Sequence, residues 1–256
     1  MGREARVSIF GSKSMLQASR DAKARPFRIG LVVPSSNTVM EVDLHRSLPG
    51  DLCTVHTARM YLVATTREAE IKMIEEHAPK AAADVGTAEP DLLVFGCTSA
   101  GSLFGLDYDR KICARLGEIA GCPSLGTISA VTEALDRRGF QRIAVITPYI
   151  EELTKAVAGA ASTPTRKVVA AYGMGIDNNV ELATPSPQDI VDFAAKCLGS
   201  QSFDGIFVSC TNFRALDAVA ELERRFKVPV VTSNLAVIEA IRRRLEREIP
   251  NPTMPM

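Results

Sequence analysis

The chain carries no surplus charge, no long apolar run and few histidines, and each shortage removes a class of function. Lys+Arg 30 balances Asp+Glu 30, and no basic stripe stands out. A nucleic-acid partner is therefore not expected. No apolar run reaches the roughly 18 residues that span a bilayer, so no membrane partner is expected either. The three histidines, His45, His56 and His77, show no zinc-ligand pattern, and no pair of the six cysteines has C-x-x-C spacing. That leaves no expected metal and, in a chain of this size, free thiols rather than disulfides. No G-x-S-x-G element and no P-loop lysine occurs. The loop at 173–179 has two glycines but lacks the full G-x-G-x-x-G pattern, so no dinucleotide and no other cofactor is expected.

Residues 1–26 carry six basic residues against Glu4 and Asp21 and have no apolar stretch of the secretory kind. They read as a flexible basic extension, and the protein as cytoplasmic.

What is present is a 256-residue chain, 46% hydrophobic, with enough apolar material for one large domain or two small ones. The stretch DLLVFGCTSAG, from Asp91 to Gly101, organises it. Leu92 to Phe95 form a wholly apolar run, the pattern of a strand covered on both faces in a parallel sheet. A cysteine, Cys97, follows where such a strand opens into a loop, and open α/β sheets bind ligands at that edge. GIFVSCT, from Gly205 to Thr211, repeats the pattern with Cys210.

The repeat extends further. RIGLVVP begins at Arg28 and RIAVITPY at Arg142, an offset of 114 residues. Cys97 and Cys210 are 113 apart, and Pro123 and Pro229 are 106 apart. Near-constant offsets over three landmarks indicate duplicated βαβ architecture. The fold class is α/β, with two similar four-stranded parallel sheets and a cleft between them. The first half is expected over 27–130 and the second over 131–233. A last helix, about 234–248, is a candidate for packing back on the first half. Pro79 is expected to kink or split the helix that opens at the capping box of Thr65 to Glu68.

Cys97 and Cys210 are the candidate catalytic residues, because two thiols at equivalent strand ends suit a reaction that works on both sides of a small substrate. Ser35, Ser36 and Asn37 lie in a polar loop between a buried strand and a helix start, where hydroxyls and backbone N–H groups favour an anion. Thr98, Ser99, Thr211 and Asn212 follow the cysteines and are candidates for the same anion. Tyr149 ends the second half's first strand, where its hydroxyl can donate into the cleft. Asn178 lies in the 173–179 loop.

Taken together, V-P-S-S-N-T (Val33 to Thr38), Cys97, T-P-Y (Thr147 to Tyr149), D-N (Asp177 and Asn178) and Cys210 resemble the aspartate/glutamate racemase superfamily. The resemblance covers about residues 27–246 and is to the maleate cis–trans isomerase-like branch. It implies that Asn37, Cys97, Tyr149, Asn178 and Cys210 line a site between two halves. Both cysteines here are followed by Thr, as in amino-acid racemases, whereas maleate isomerases usually have apolar residues there. The flanks GCTSAG and SCTNFRA, with GMGIDN, look most like racemase-like proteins linked to ectoine and hydroxyectoine utilisation.

The reading that follows is a cofactor-independent two-cysteine racemase or epimerase of a small amino-acid-derived or dicarboxylic acid, expected to form a homo-oligomer. One thiolate would remove a proton next to a carboxylate while the opposite thiol returns one. A maleate isomerase, in which the thiolate adds to a double bond, is the alternative. An arylmalonate-type decarboxylase needs only one protonating cysteine. A non-enzymatic binder of small carboxylates needs no thiol pair at all.

Overall fold

The computed structural model describes residues 25–199 and 201–248. Its eight named strands form two parallel sheets of the same design. β1 (Phe27–Pro34), β2 (Cys53–Met60), β3 (Leu92–Phe95) and β4 (Ser124–Gly126) lie in the order β2-β1-β3-β4. β5 (Arg142–Tyr149), β6 (Lys167–Ile176), β7 (Gly205–Val208) and β8 (Val230–Thr232) lie in the order β6-β5-β7-β8. Every strand pair within the sheets is parallel. Every residue of β3 and β7 is buried, because helices cover both faces of each sheet.

The first half carries the helices α1 (Met40–Ser47), α2 (Arg67–Lys72), α3 (Ala78–Gly86), α4 (Thr98–Ser102), α5 (Leu106–Ala120) and α6 (Thr127–Arg137). α7 (Glu151–Ala161), α8 (Pro187–Leu198), α9 (Val219–Phe226) and α10 (Ser233–Glu248) follow. The expected break at Pro79 takes the form of a π-helical turn, Met73–His77, between α2 and α3. The Ala78 N–H reaches back five residues to the Met73 carbonyl, and Pro79 falls in the first turn of α3, where no N–H is needed.

The boundary expected between residues 130 and 131 falls inside α6, which runs unbroken. Ile128, Val131, Ala134 and Leu135 are all buried, so one apolar face holds the helix together across the division. The halves join instead through residues 138–141, where Gly139 takes a φ of +68°. α6 and α10 follow the last strand of their respective sheets and pack against each other. Arg138 bonds Glu239 at 2.5 Å and 3.0 Å, and Arg243 pairs with Glu133 at 3.1 Å. α10 also reaches α1, where Asn234 bonds Asp43 at 2.8 Å and Arg242 bonds the Ser47 carbonyl at 2.7 Å. The closing helix thus crosses to the first half.

The basic segment 1–26 lies outside the described residues except for its last two. There Arg25 makes a forked pair with Asp91 at 2.7 Å and 3.0 Å. Among the described residues no helix is long and apolar enough to cross a membrane.

Candidate active site

The parallel sheets end at a common interface, and each central strand delivers a thiol there. Cys97 follows β3 and Cys210 follows β7, and each is 3% exposed. They lie close enough for charge on Cys210 to raise the pKa of Cys97. Tyr149, at the end of β5, is 1% exposed and feels both sulfurs. Burial first, and then the neighbouring sulfurs, hold its phenol protonated well above the usual range. Tyr149 in turn draws the Cys210 pKa down, as a phenol hydroxyl beside a sulfur does.

The two thiols are not equivalent. Cys97 has an ordinary extended backbone (φ −138°) and opens α4, with the Ser99 hydroxyl 3.7 Å from its sulfur. Cys210 is held at φ +111°, a region that a β-carbon disfavours and that the surrounding contacts must impose. The Asn212 N–H donates to the Cys210 sulfur at 3.2 Å, and the Cys210 N–H donates to the Ser233 hydroxyl at 3.0 Å. Burial pushes the Cys210 thiol up to about 12, tempered by Tyr149 and the Asn212 amide. Burial and then Glu70 push the Cys97 thiol up, against a weaker downward pull from the Ala100 amide and Ser99. Both thiols are held well above the ordinary range by burial, and each is drawn down by its own donors, Tyr149 and the Asn212 amide at Cys210, the Ala100 amide and Ser99 at Cys97.

The threonines after the cysteines tie the halves together. Thr98 donates to Ser233 at 2.9 Å. Thr211 donates to the Gly96 carbonyl at 3.0 Å and accepts from the Asn37 amide at 3.1 Å. Each half therefore sends a hydroxyl next to the other half's thiol strand. Ser99 is the member of this group that faces a sulfur.

The 35–38 loop lies in the same network, but its donors are spent on protein partners. The Asn37 side-chain oxygen accepts from the Val39 and Met40 amides at the start of α1, each at 3.0 Å. The Thr38 N–H donates to the Asn212 side chain at 2.8 Å. Ser35 and Ser36 both bond the Leu62 carbonyl, at 3.3 Å and 2.6 Å. The hydroxyls and N–H groups expected to meet an anion thus have protein acceptors here, as buried donors must.

Asn178 stays local, its side chain accepting from the Val180 amide at 3.2 Å and reaching Glu181 at 3.5 Å. The amide that enters the cleft belongs to Asn179, which is buried, donates to Ser36 at 2.7 Å, and accepts through its carbonyl from Asn212 at 2.6 Å. The reason is a bridge between two segments of the chain. Ala64 and Asn178 pair as an isolated antiparallel bridge, flanked by Thr65 N–H to Asp177 O and Asn179 N–H to Val63 O, both 2.8 Å. Pairing of the Asn178 backbone turns its neighbour's side chain inward.

Glu70 is the residue that the sequence reading missed. It is 0% exposed, and neither carboxylate oxygen has a hydrogen-bond partner. It acts electrostatically on Cys97, Cys210 and Tyr149 alike. Burial pushes its carboxyl up to about 8, against a downward pull from the Ser99 hydroxyl. The signal was its spacing. Glu70, Met73, Ile74 and Ala78 form the buried face, and Ile71 is only half-buried. An acid three and four residues before two apolar ones sits on their face. Among the described residues no group of three His, Cys, Asp or Glu is placed to hold a metal.

A pseudo-symmetric α/β protein that brings one buried thiol from each half to one interface defines a class of two-cysteine enzymes. The family described as Amdase, arylmalonate decarboxylase, matches residues 29–254, and the chain belongs to it. A maleate isomerase of Geobacillus stearothermophilus is 26% identical over 243 residues, covering 89% of this chain and 96% of that relative. The crystal structure of the maleate isomerase Iso from Pseudomonas putida S16 superposes with a TM-score of 0.80 at 24% identity, covering 87% of this chain and 94% of that one. A Nocardia farcinica maleate cis-trans isomerase, solved as a cysteine-to-serine mutant with a covalently bound succinylcysteine intermediate, gives 0.79 at 24% identity, covering 87% and 94%. The resemblance to the maleate isomerase-like branch is borne out, and the chain is an isomerase of this family.

Proposed function

We propose that this isomerase converts a small cis-unsaturated dicarboxylate to its trans form, maleate to fumarate in the simplest case. The observation that carries the reading is the pair of desolvated thiols, one from each half, sharing Tyr149.

One thiolate adds to an alkene carbon and forms a C–S bond. The π electrons move to the neighbouring carbon, which takes a proton from the opposite thiol. The former double bond is now single and rotates. The opposite thiolate then removes a proton from that carbon, the double bond re-forms, and the C–S electrons return to the first sulfur. The cycle starts and ends with one proton on the pair and needs no other reactant.

The maleate isomerase relatives support this substrate over racemisation. The threonine after each cysteine pointed to amino-acid racemases, but its hydroxyl serves to join the halves here. The Cys-Thr pattern thus carries no argument against maleate. A link to ectoine or hydroxyectoine breakdown finds no support among the relatives. A decarboxylase needs one protonating thiol, and this chain supplies two.

Proton NMR of maleate with the enzyme in D₂O tests the reading. The fumarate singlet should grow at the expense of maleate. Failure to turn over maleate, with deuterium instead washing into the Cα position of an amino acid, would replace it by the racemase reading.

A further inference from the structure

The cleft holds an acid with nothing to do in the resting enzyme. Glu70 is fully buried, neither of its oxygens is hydrogen-bonded, and it shares its surroundings with both thiols and Tyr149. An ionised carboxylate in that position would face two sulfurs and a phenol with no counter-charge. The groups acting on Glu70 are burial and the Ser99 hydroxyl, and no Lys, Arg or His is among them. Arg59, near the loop at 35–37, is turned to the Ser35 and Asn37 carbonyls and to Glu41. A dicarboxylate bound here is met by neutral donors.

We propose that Glu70 works as a neutral carboxylic acid that donates a hydrogen bond to a carboxylate of the substrate, making it a specificity-determining residue for dicarboxylates and a brake on binding once it ionises. The proposal rests on the dicarboxylate reading above. Protonated, Glu70 adds a neutral donor beside the Tyr149 and Ser99 hydroxyls, and its oxygens, which have no hydrogen-bond partner, gain one when substrate arrives. Ionised, it opposes a dianion at short range in a dry site, where repulsion is strongest. Its carboxyl, pushed up to about 8 by burial, is in the neutral form at neutral pH. The same neutral donor would hold the negative charge that develops on the substrate carboxylate as the thiolate adds.

The test uses the full-length enzyme with succinate, which cannot react, as the calorimetric probe, and with maleate for turnover. In the wild type, succinate affinity should fall about tenfold per pH unit above the ionisation of Glu70, with KM for maleate rising in step. Glu70→Gln, which keeps a donor but cannot ionise, should bind succinate within about threefold of wild type at neutral pH and stay flat as pH rises. Wild-type affinity that is flat or rises with pH overturns the proposal, as does a Glu70→Gln profile that keeps the wild-type slope. If neither succinate binding nor maleate turnover is seen at any pH, the substrate reading fails instead. Carbon-13 NMR of the ligand-free, glutamate-labelled protein, read against Glu70→Gln, follows this carboxyl directly. A Glu70 already ionised at neutral pH overturns the proposal whatever the substrate is.

Discussion

Thr98 donates a hydrogen bond of 2.9 Å to Ser233, joining the residue after one thiol to the residue that opens the closing helix. The same Ser233 oxygen accepts the Cys210 amide. One hydroxyl therefore sets the position of both thiol-bearing turns. Its pseudo-symmetric counterpart is the Thr211 bond to the Gly96 carbonyl.

Replacing either threonine by valine removes a buried link between halves and leaves its partner unsatisfied. Thr98→Val and Thr211→Val should each cost about 1–3 kcal/mol in denaturant unfolding. Turnover should fall as well, because the sulfurs lose their shared reference. Thr98→Ser, which loses the methyl group but keeps the hydroxyl, should retain most of both, because the hydroxyl makes the link to Ser233.

Serine at either thiol position should abolish maleate turnover while leaving the fold intact, since Cys→Ser changes little volume. The two variants should differ by mass spectrometry. The one that keeps the adding thiol should accumulate a succinyl adduct with maleate, and the other should not. Full turnover by either variant would remove the thiol pair from the mechanism.

Tyr149 is held from behind by a glycine. A β-carbon on Gly173 would lie 2.2 Å from the Tyr149 carbonyl oxygen and 2.4 Å from the Thr154 hydroxyl. Gly173→Ala must shift the end of β5, so about 1–3 kcal/mol of stability should be lost. Turnover should drop more than for an alanine at the open Gly159, where a β-carbon meets nothing within 4 Å.

Glu70 should also write itself into stability against pH. Its carboxyl is raised from an ordinary 4.5 to about 8 in the fold. The folded chain thus holds a proton that the unfolded chain has released, and stability is lost as pH climbs from 4.5 through 8. The loss is on the order of a few kcal/mol. Thermal unfolding followed over this window should show a shallower decline for Glu70→Gln than for wild type. Parallel declines would mean that Glu70 ionises freely in the fold.

Much of the architecture was legible because it is written locally. A buried parallel strand needs four or more consecutive apolar residues, and β1, β3, β5 and β7 announce themselves that way. Helix starts are written locally in the same way: Ser186 and Asp189 form a capping box at the start of α8. The break between halves was not, because α6 keeps its apolar face across residue 130 and nothing local marks where one half ends. Asn178 and Asn179 are adjacent amides, and only the strand-like bridge to Ala64 decides which one turns inward.

The sequence alone determined two copies of one parallel sheet and a cysteine at the end of each central strand, since hydrophobic runs and their spacing are properties of neighbouring residues. Only the tertiary structure decided that the threonines serve as ties and that Glu70 belongs with both sulfurs. Those outcomes depend on hydrogen bonds and desolvation set by residues more than a hundred positions apart, as Asn37 is from Thr211, and no local pattern encodes what will lie opposite.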